Sequence, residues 1–109
     1  MKPEIKKLWV DALRSGDYIQ GRGGLRGECN DFCCLGVLCD LHAKATGRKW
    51  SHNGCHYEYL SQMAFLPNEV TEWAGLDTGR PKLPDGTLDT LNDAEMDFIT
   101  IAGRVEAHL

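Results

Sequence analysis

The sequence predicts a mainly helical α+β fold, with three to four helices around a buried Cys-rich helix and one short β-hairpin. Three observations point there. Phe32-Cys33-Cys34-Leu35-Gly36-Val37-Leu38-Cys39-Asp40-Leu41 is the most apolar run, too apolar for a helix wetted along one side. Asn53-Gly54 between aromatic-rich flanks is the signal of a tight hairpin. Phe98, Ile101, Ala102, Val105 and Leu109 recur at helical spacing. With 109 residues, 42% hydrophobic and 26% charged, the chain has the make-up of a single globular domain spanning 1–109.

In chain order, Pro3 suits a first helical turn, and Ile5, Leu8, Trp9, Ala12 and Leu13 form the apolar face of an N-terminal helix that Ser15-Gly16 stops. Tyr18 and Ile19 form an extended entry to a glycine-rich loop, Gln20-Gly21-Arg22-Gly23-Gly24-Leu25-Arg26-Gly27. Asn30 or Asp31 is the expected cap of the central helix. That helix carries a stripe of Cys34, Leu35, Leu38, Leu41 and Ala45, widened by Phe32, Val37 and Cys39. Gly36 lowers helix propensity, so its expected use is to admit another element at close range. Gly47 supplies the stop. The hairpin follows, over Lys49 to Tyr59. Pro67 opens a short helix through Ala74, closed by Gly75. Residues 76 to 87 are turn-rich, with a small ribbon expected around Asp85-Gly86, and Asn92-Asp93 reads as a turn and cap. Asp97 is the expected cap of the last helix.

The net charge of −4 is uneven: residues 1 to 28 hold six basic against four acidic side chains, the remainder six against twelve. A duplex binder needs a dense basic face, which disfavours nucleic acid as a partner. A local cationic spot instead suits one small phosphorylated ligand. No apolar run reaches the roughly 18 residues of a membrane span, and the start lacks an apolar signal core. Cys29, Cys33, Cys34, Cys39 and Cys55 are expected to be reduced thiols.

Several segments together, Trp9-Val10-x-Ala12-Leu13-Arg14-Ser15-Gly16-x-Tyr18-x-Gln20-Gly21, the double-cysteine helix, Glu72-Trp73-Ala74-Gly75-Leu76 and Leu91-Asn92-Asp93 through Phe98-x-x-Ile101-Ala102, resemble a family of small accessory proteins encoded by tailed bacteriophages. The similarity covers nearly the whole chain. It implies an accessory role in the cytoplasm of an infected bacterium, where such proteins modify or block host functions, including defence systems that signal through cyclic or ADP-ribose-type nucleotides.

Five site hypotheses follow. In the first two, which combine, Gln20, Arg22 and Arg26 clamp phosphate beside the free N–H groups of the central helix, and an aromatic hairpin with Trp50, His52 and Tyr57 stacks a base. Non-catalytic capture of a nucleotide-derived signal, without a cofactor, is the expected function. The third is zinc held by Cys39, His42, His52, Cys55 and His56. The fourth is cysteine hydrolysis, with Cys33 or Cys34 as nucleophile and His52 or His56 as base. The fifth is a helix-turn-helix opening at Asn92-Asp93, after which the chain reaches Leu109 before a recognition helix. An inhibitor that docks on a host defence protein through an acidic surface is the alternative from another class. A pocket built between copies of the chain is compatible with this size.

Overall fold

The computed structural model describes residues 1–109. Five helices occur: α1 (Pro3–Arg14), α2 (Cys34–Thr46), α3 (Asn68–Ala74), α4 (Leu88–Asp93) and α5 (Phe98–His108). Three two-residue strand pairs trim them. Parallel β1 (Ile19–Gln20) and β2 (Asp31–Phe32) brace the glycine-rich loop. Antiparallel β3 (Ser51–His52) and β4 (Tyr57–Glu58) form the expected hairpin, and β5 (Lys82–Leu83) and β6 (Gly86–Thr87) form the expected ribbon. The architecture is the mainly helical α+β fold that the sequence predicts.

Helix α2 is the centre. Every residue from Cys34 to Cys39 is buried, so neighbours cover it on more than one side, as its composition requires. Further along, His42 and Ala43 are buried where the stripe predicted Leu41 and Ala45; Leu41 is partly covered and Ala45 exposed. Helix α1 packs on α2 and α5, burying Ile5, Trp9, Val10 and Leu13. Trp9 reaches the core with its polar group satisfied, the indole Nε1–H donating to the Cys34 carbonyl at 2.9 Å. Leu8, expected on this face, is 48% exposed, while Val10 is buried, since α1 packs against both α5 and α2.

Gly36 meets its expected use. A Cβ there would lie 1.8 Å from the Leu25 carbonyl oxygen, so only glycine lets the loop backbone lie against α2. The Asp97 side chain caps α5 by accepting from the Thr100 N–H at 2.8 Å. Gly47 and Gly75 close α2 and α3 in left-handed conformation, while Pro67 stands one residue outside α3 as its cap.

Two expectations need correction. Neither Asn30 nor Asp31 caps α2; Cys33 does, its Sγ accepting from the Gly36 N–H at 3.4 Å. Asn30 is instead a left-handed turn residue and Asp31 belongs to β2, because the chain pairs with β1 before the helix starts. Asn92-Asp93 is likewise no free turn: the two residues end α4, and Asn92 is fully buried.

Candidate functional site

The glycine-rich loop is closed by pairing within the protein. Gly21 N–H donates to the Phe32 carbonyl at 2.7 Å, Leu25 to Met63 at 2.7 Å and Gly27 to Asp31 at 2.8 Å. Gly23 N–H donates to the Asp93 carboxylate at 3.1 Å. Gly21 and Gly27 make room for the Asp31 side chain, whose carboxylate lies 2.3 Å from where a Cβ on either would stand. At the start of α2 the Cys33 N–H donates to the Leu25 carbonyl at 3.3 Å and the Cys34 N–H to Asn92 Oδ1 at 3.2 Å. The Cys33, Cys34 and Gly36 N–H groups at the helix start, expected to cradle an anion, are therefore taken within the fold.

Asn92 ties this region together. Its Oδ1 accepts from Cys34 N–H and from Gln20 Nε2 at 2.9 Å, while its Nδ2 donates to the Gly21 carbonyl at 2.8 Å and, more weakly, to Asp93 at 3.4 Å. Gln20 also donates to the Met96 carbonyl at 2.8 Å, so this predicted ligand residue spends its amide N–H groups inside the fold.

The arginines divide sharply. Arg14 pairs with Glu106 at 3.2 Å, Arg48 with Glu69 at 2.7 Å, Arg80 with Asp89 at 3.2 Å, and Arg104 with Asp85. Arg22 and Arg26, the two arginines of the glycine-rich loop, have no carboxylate partner. Arg22 extends into solvent. Arg26 is set among rings, with its guanidinium carbon 4.1 Å from the centroid of Tyr57, 5.3 Å from Phe32 and 5.4 Å from Trp50. Its Nε and Nη2 donate to Asn30 Oδ1 at 3.3 and 2.7 Å. The cation–π contacts fix the plane of the guanidinium, and donors are left over because Asn30 offers one neutral oxygen.

Beside Arg26 runs a groove of about 560 Å³, lined by Phe32, Tyr18, Lys44, Asp17 and Asp40 among others. Phe32 and Tyr18 meet edge to face with centroids 5.1 Å apart, and Lys44 Nζ stands 5.3 Å from the Tyr18 ring. Asp40 accepts from the Tyr18 hydroxyl at 2.6 Å and from Trp50 Nε1 at 3.1 Å, and pairs with Lys44 at 3.2 Å. Burial, with the hydrogen bond to Asp40 second, raises the Tyr18 phenol, which stays protonated as a donor at neutral pH. Sequence reasoning missed Tyr18, Asp40 and Lys44 as site residues. The available signal was Asp40 and Lys44 at i, i+4, a charged pair on an otherwise apolar helix.

The hairpin completes the face. His52 tilts over Tyr57 with ring centroids 4.6 Å apart and meets the Glu28 carboxylate at 2.8 Å. Trp50 is partly buried, tilted against Tyr59 at 4.9 Å and edge-on to Phe32 at 6.0 Å. Of the predicted ligand set, Arg26, Trp50, His52 and Tyr57 are neighbours; Gln20 is internal and Arg22 stands apart.

The alternative sites do not assemble. Burial pushes the Cys33 thiol up to about 11 and the Cys34 thiol well above its ordinary value, against the weaker pull of backbone N–H groups. Cys34 Sγ lies 3.6 Å from the Leu88 carbonyl. His52 and His56 pair with Glu28 and Glu58, and the Cys33 and Cys34 sulfurs contact backbone groups and no imidazole. Nor does any group of three His, Cys, Asp or Glu side chains converge as a metal site. Cys39 is buried in the core, and His42 is committed to the Tyr59 hydroxyl at 2.6 Å and Glu69 at 3.3 Å. Cys55 and His56 lie 3.9 Å apart on the hairpin turn, away from both.

No helix is long and apolar enough to cross a membrane. No curated protein and no solved structure matches the chain. One family model, described as a domain of unknown function (DUF8296), matches residues 1–109. Because that match runs from the first residue to the last, the chain belongs to the DUF8296 family.

Proposed function

We propose that this protein binds a small phosphorylated, nucleotide-derived signal and sequesters it without chemical change. The single observation that carries this reading is the distribution of arginine partners: four guanidinium groups are neutralised, while Arg26 is held by rings with donors to spare. A stacked, unneutralised guanidinium beside accessible aromatic surface matches a ligand that is anionic at one point and flat at another. Arg26 is the phosphate contact, Tyr57 and Trp50 supply ring surface, and His52 adds a polar edge. The buried, protonated cysteines favour capture over cleavage. With the resemblance to tailed-phage accessory proteins, capture of this kind is a counter-defence in the cytoplasm of an infected bacterium.

Titration calorimetry against cyclic dinucleotides and ADP-ribose derivatives tests the reading. Binding to at least one member is expected, lost in Arg26→Ala and retained in Arg22→Ala, with the ligand recovered intact. No heat from any member with folded protein overturns it. A second reading, docking on a host protein, draws on Ile19 and Ile99, each 68% exposed. Pull-down of a host enzyme that survives Arg26→Ala and fails with Ile99→Asp would favour it instead.

A further inference from the structure

Resting on the nucleotide reading above, we infer that the groove selects its ligand through two unlike groups in its wall, taking a phosphate at Arg26 and a free ribose cis-diol at Asp17. Three carboxylates and two cations line it, and most are already committed. Asp40 is taken by Tyr18, Trp50 and Lys44, and Lys44 is taken by Asp40. Asp11 pairs with Lys7 at 2.8 Å. Arg26 keeps N–H donors that face no carboxylate, and Asp17 is the one carboxylate of the three with no partner at either oxygen, since Asp11 engages Lys7 through one of its two. Asp17 is also placed by its backbone, its N–H donating to Ser15 Oγ at 3.1 Å.

These two groups are opposite in sign and in hydrogen-bond sense. Arg26 can only donate, and the carboxylate of Asp17 is an acceptor. A ligand in the groove that meets both groups therefore needs acceptors toward Arg26 and donors toward Asp17, with a body that tolerates the edge-to-face Phe32 and Tyr18 pair in the same wall. A 5′-nucleotide with free 2′ and 3′ hydroxyls meets this: phosphate oxygens accept, and a vicinal diol donates to a carboxylate, as acidic residues do for ribose in dinucleotide-binding folds. A cyclic dinucleotide fails at the diol, which its ring linkages use up. The ligand class is thus the mononucleotide or ADP-ribose type.

The test is calorimetry on the full chain at low salt with adenosine 5′-monophosphate, its 2′,3′-dideoxy analogue, ADP-ribose and cyclic di-AMP. Expected are binding of the monophosphate and ADP-ribose, and about tenfold weaker binding of the dideoxy analogue and of cyclic di-AMP. Asp17→Asn is expected to weaken the diol-bearing ligands about tenfold and leave the dideoxy analogue unchanged. Equal affinities for the monophosphate and its dideoxy analogue, or tighter binding of cyclic di-AMP, overturn the two-group selection while leaving nucleotide capture standing. Absence of binding by all four, and by the wider panel above, removes nucleotide capture and this inference together. Asp17 is exposed, so its replacement tests recognition and not folding.

Discussion

The start of α2 and the face around Arg26 lie a few residues apart in sequence and follow opposite rules. Around Cys33, Cys34 and Asn92 the polar atoms are matched within the chain: a thiol caps the helix, an amide engages four partners, and Gly36 admits the Leu25 carbonyl. Around Arg26 the chain leaves donors over. Matched polar groups hold a fold together, while unmatched charge on a fixed side chain is free for something outside it. The most distinctive motif of the sequence, the double cysteine, therefore serves architecture, and the less conspicuous loop arginine is the better functional candidate.

The comparison breaks most visibly at Gly36. Gly36→Ala puts a methyl into the Leu25 backbone and is expected to cost at least about 3 kcal/mol, read as a collapsed urea midpoint. An unchanged midpoint would mean the loop does not lie against α2 as described. Next comes Asn92→Ala, which strands the Cys34 N–H and the Gly21 carbonyl and removes one of the two acceptors of the Gln20 amide. A loss of about 2 to 3 kcal/mol is expected in the same measurement, with no rescue by Asn92→Asp, which lacks the donor to Gly21.

Acid probes a second buried polar link. His42 lies in the core, and burial lowers its pKa below the ordinary 6.5, outweighing the opposing charge of Glu69. The unfolded chain thus binds this proton more readily than the folded one. Stability from His42 is complete above about pH 6.5 and is lost as pH falls from there through its folded pKa. Urea midpoints from pH 8 to 5 should decline, and His42→Gln should flatten the decline across that window; an equally steep variant would refute the assignment. Smallest is Arg26→Ala, expected to cost only about 0.5 to 1 kcal/mol of stability because its contacts are partly solvated. A loss as large as that at Asn92 would show that Arg26 is structural after all and dissolve the contrast.

Local signals were legible in the sequence: Asn53-Gly54 at the hairpin, Gly47 and Gly75 after their helices, Asp97 before α5. Each depends on a few neighbouring residues and on backbone geometry that one residue type favours. The role of Asn92 was hidden because its partners lie 58 to 72 residues away. Cys33 was hidden for a different reason, since sulfur is a poor acceptor and oxygen-bearing Asn30 and Asp31 stood just before it. Of the candidate site residues, Arg26, Trp50, His52 and Tyr57 stand out in the sequence because cationic and aromatic residues are conspicuous in a small chain, and the structure makes them neighbours. The groove carboxylates Asp17 and Asp40 do not stand out, because an acidic chain offers many carboxylates and only coordinates reveal which ones are spent.

The three tryptophans give the molecule its own optical reporters. Trp9 is sealed in the core against the Cys34 carbonyl, Trp50 flanks Arg26, and Trp73 meets the His42 ring edge-on at 5.1 Å. Single-indole versions of the protein would thus emit separately from the interior, the rings around Arg26 and the imidazole contact, so unfolding, occupancy beside Arg26 and acidification can each be followed without attaching a dye.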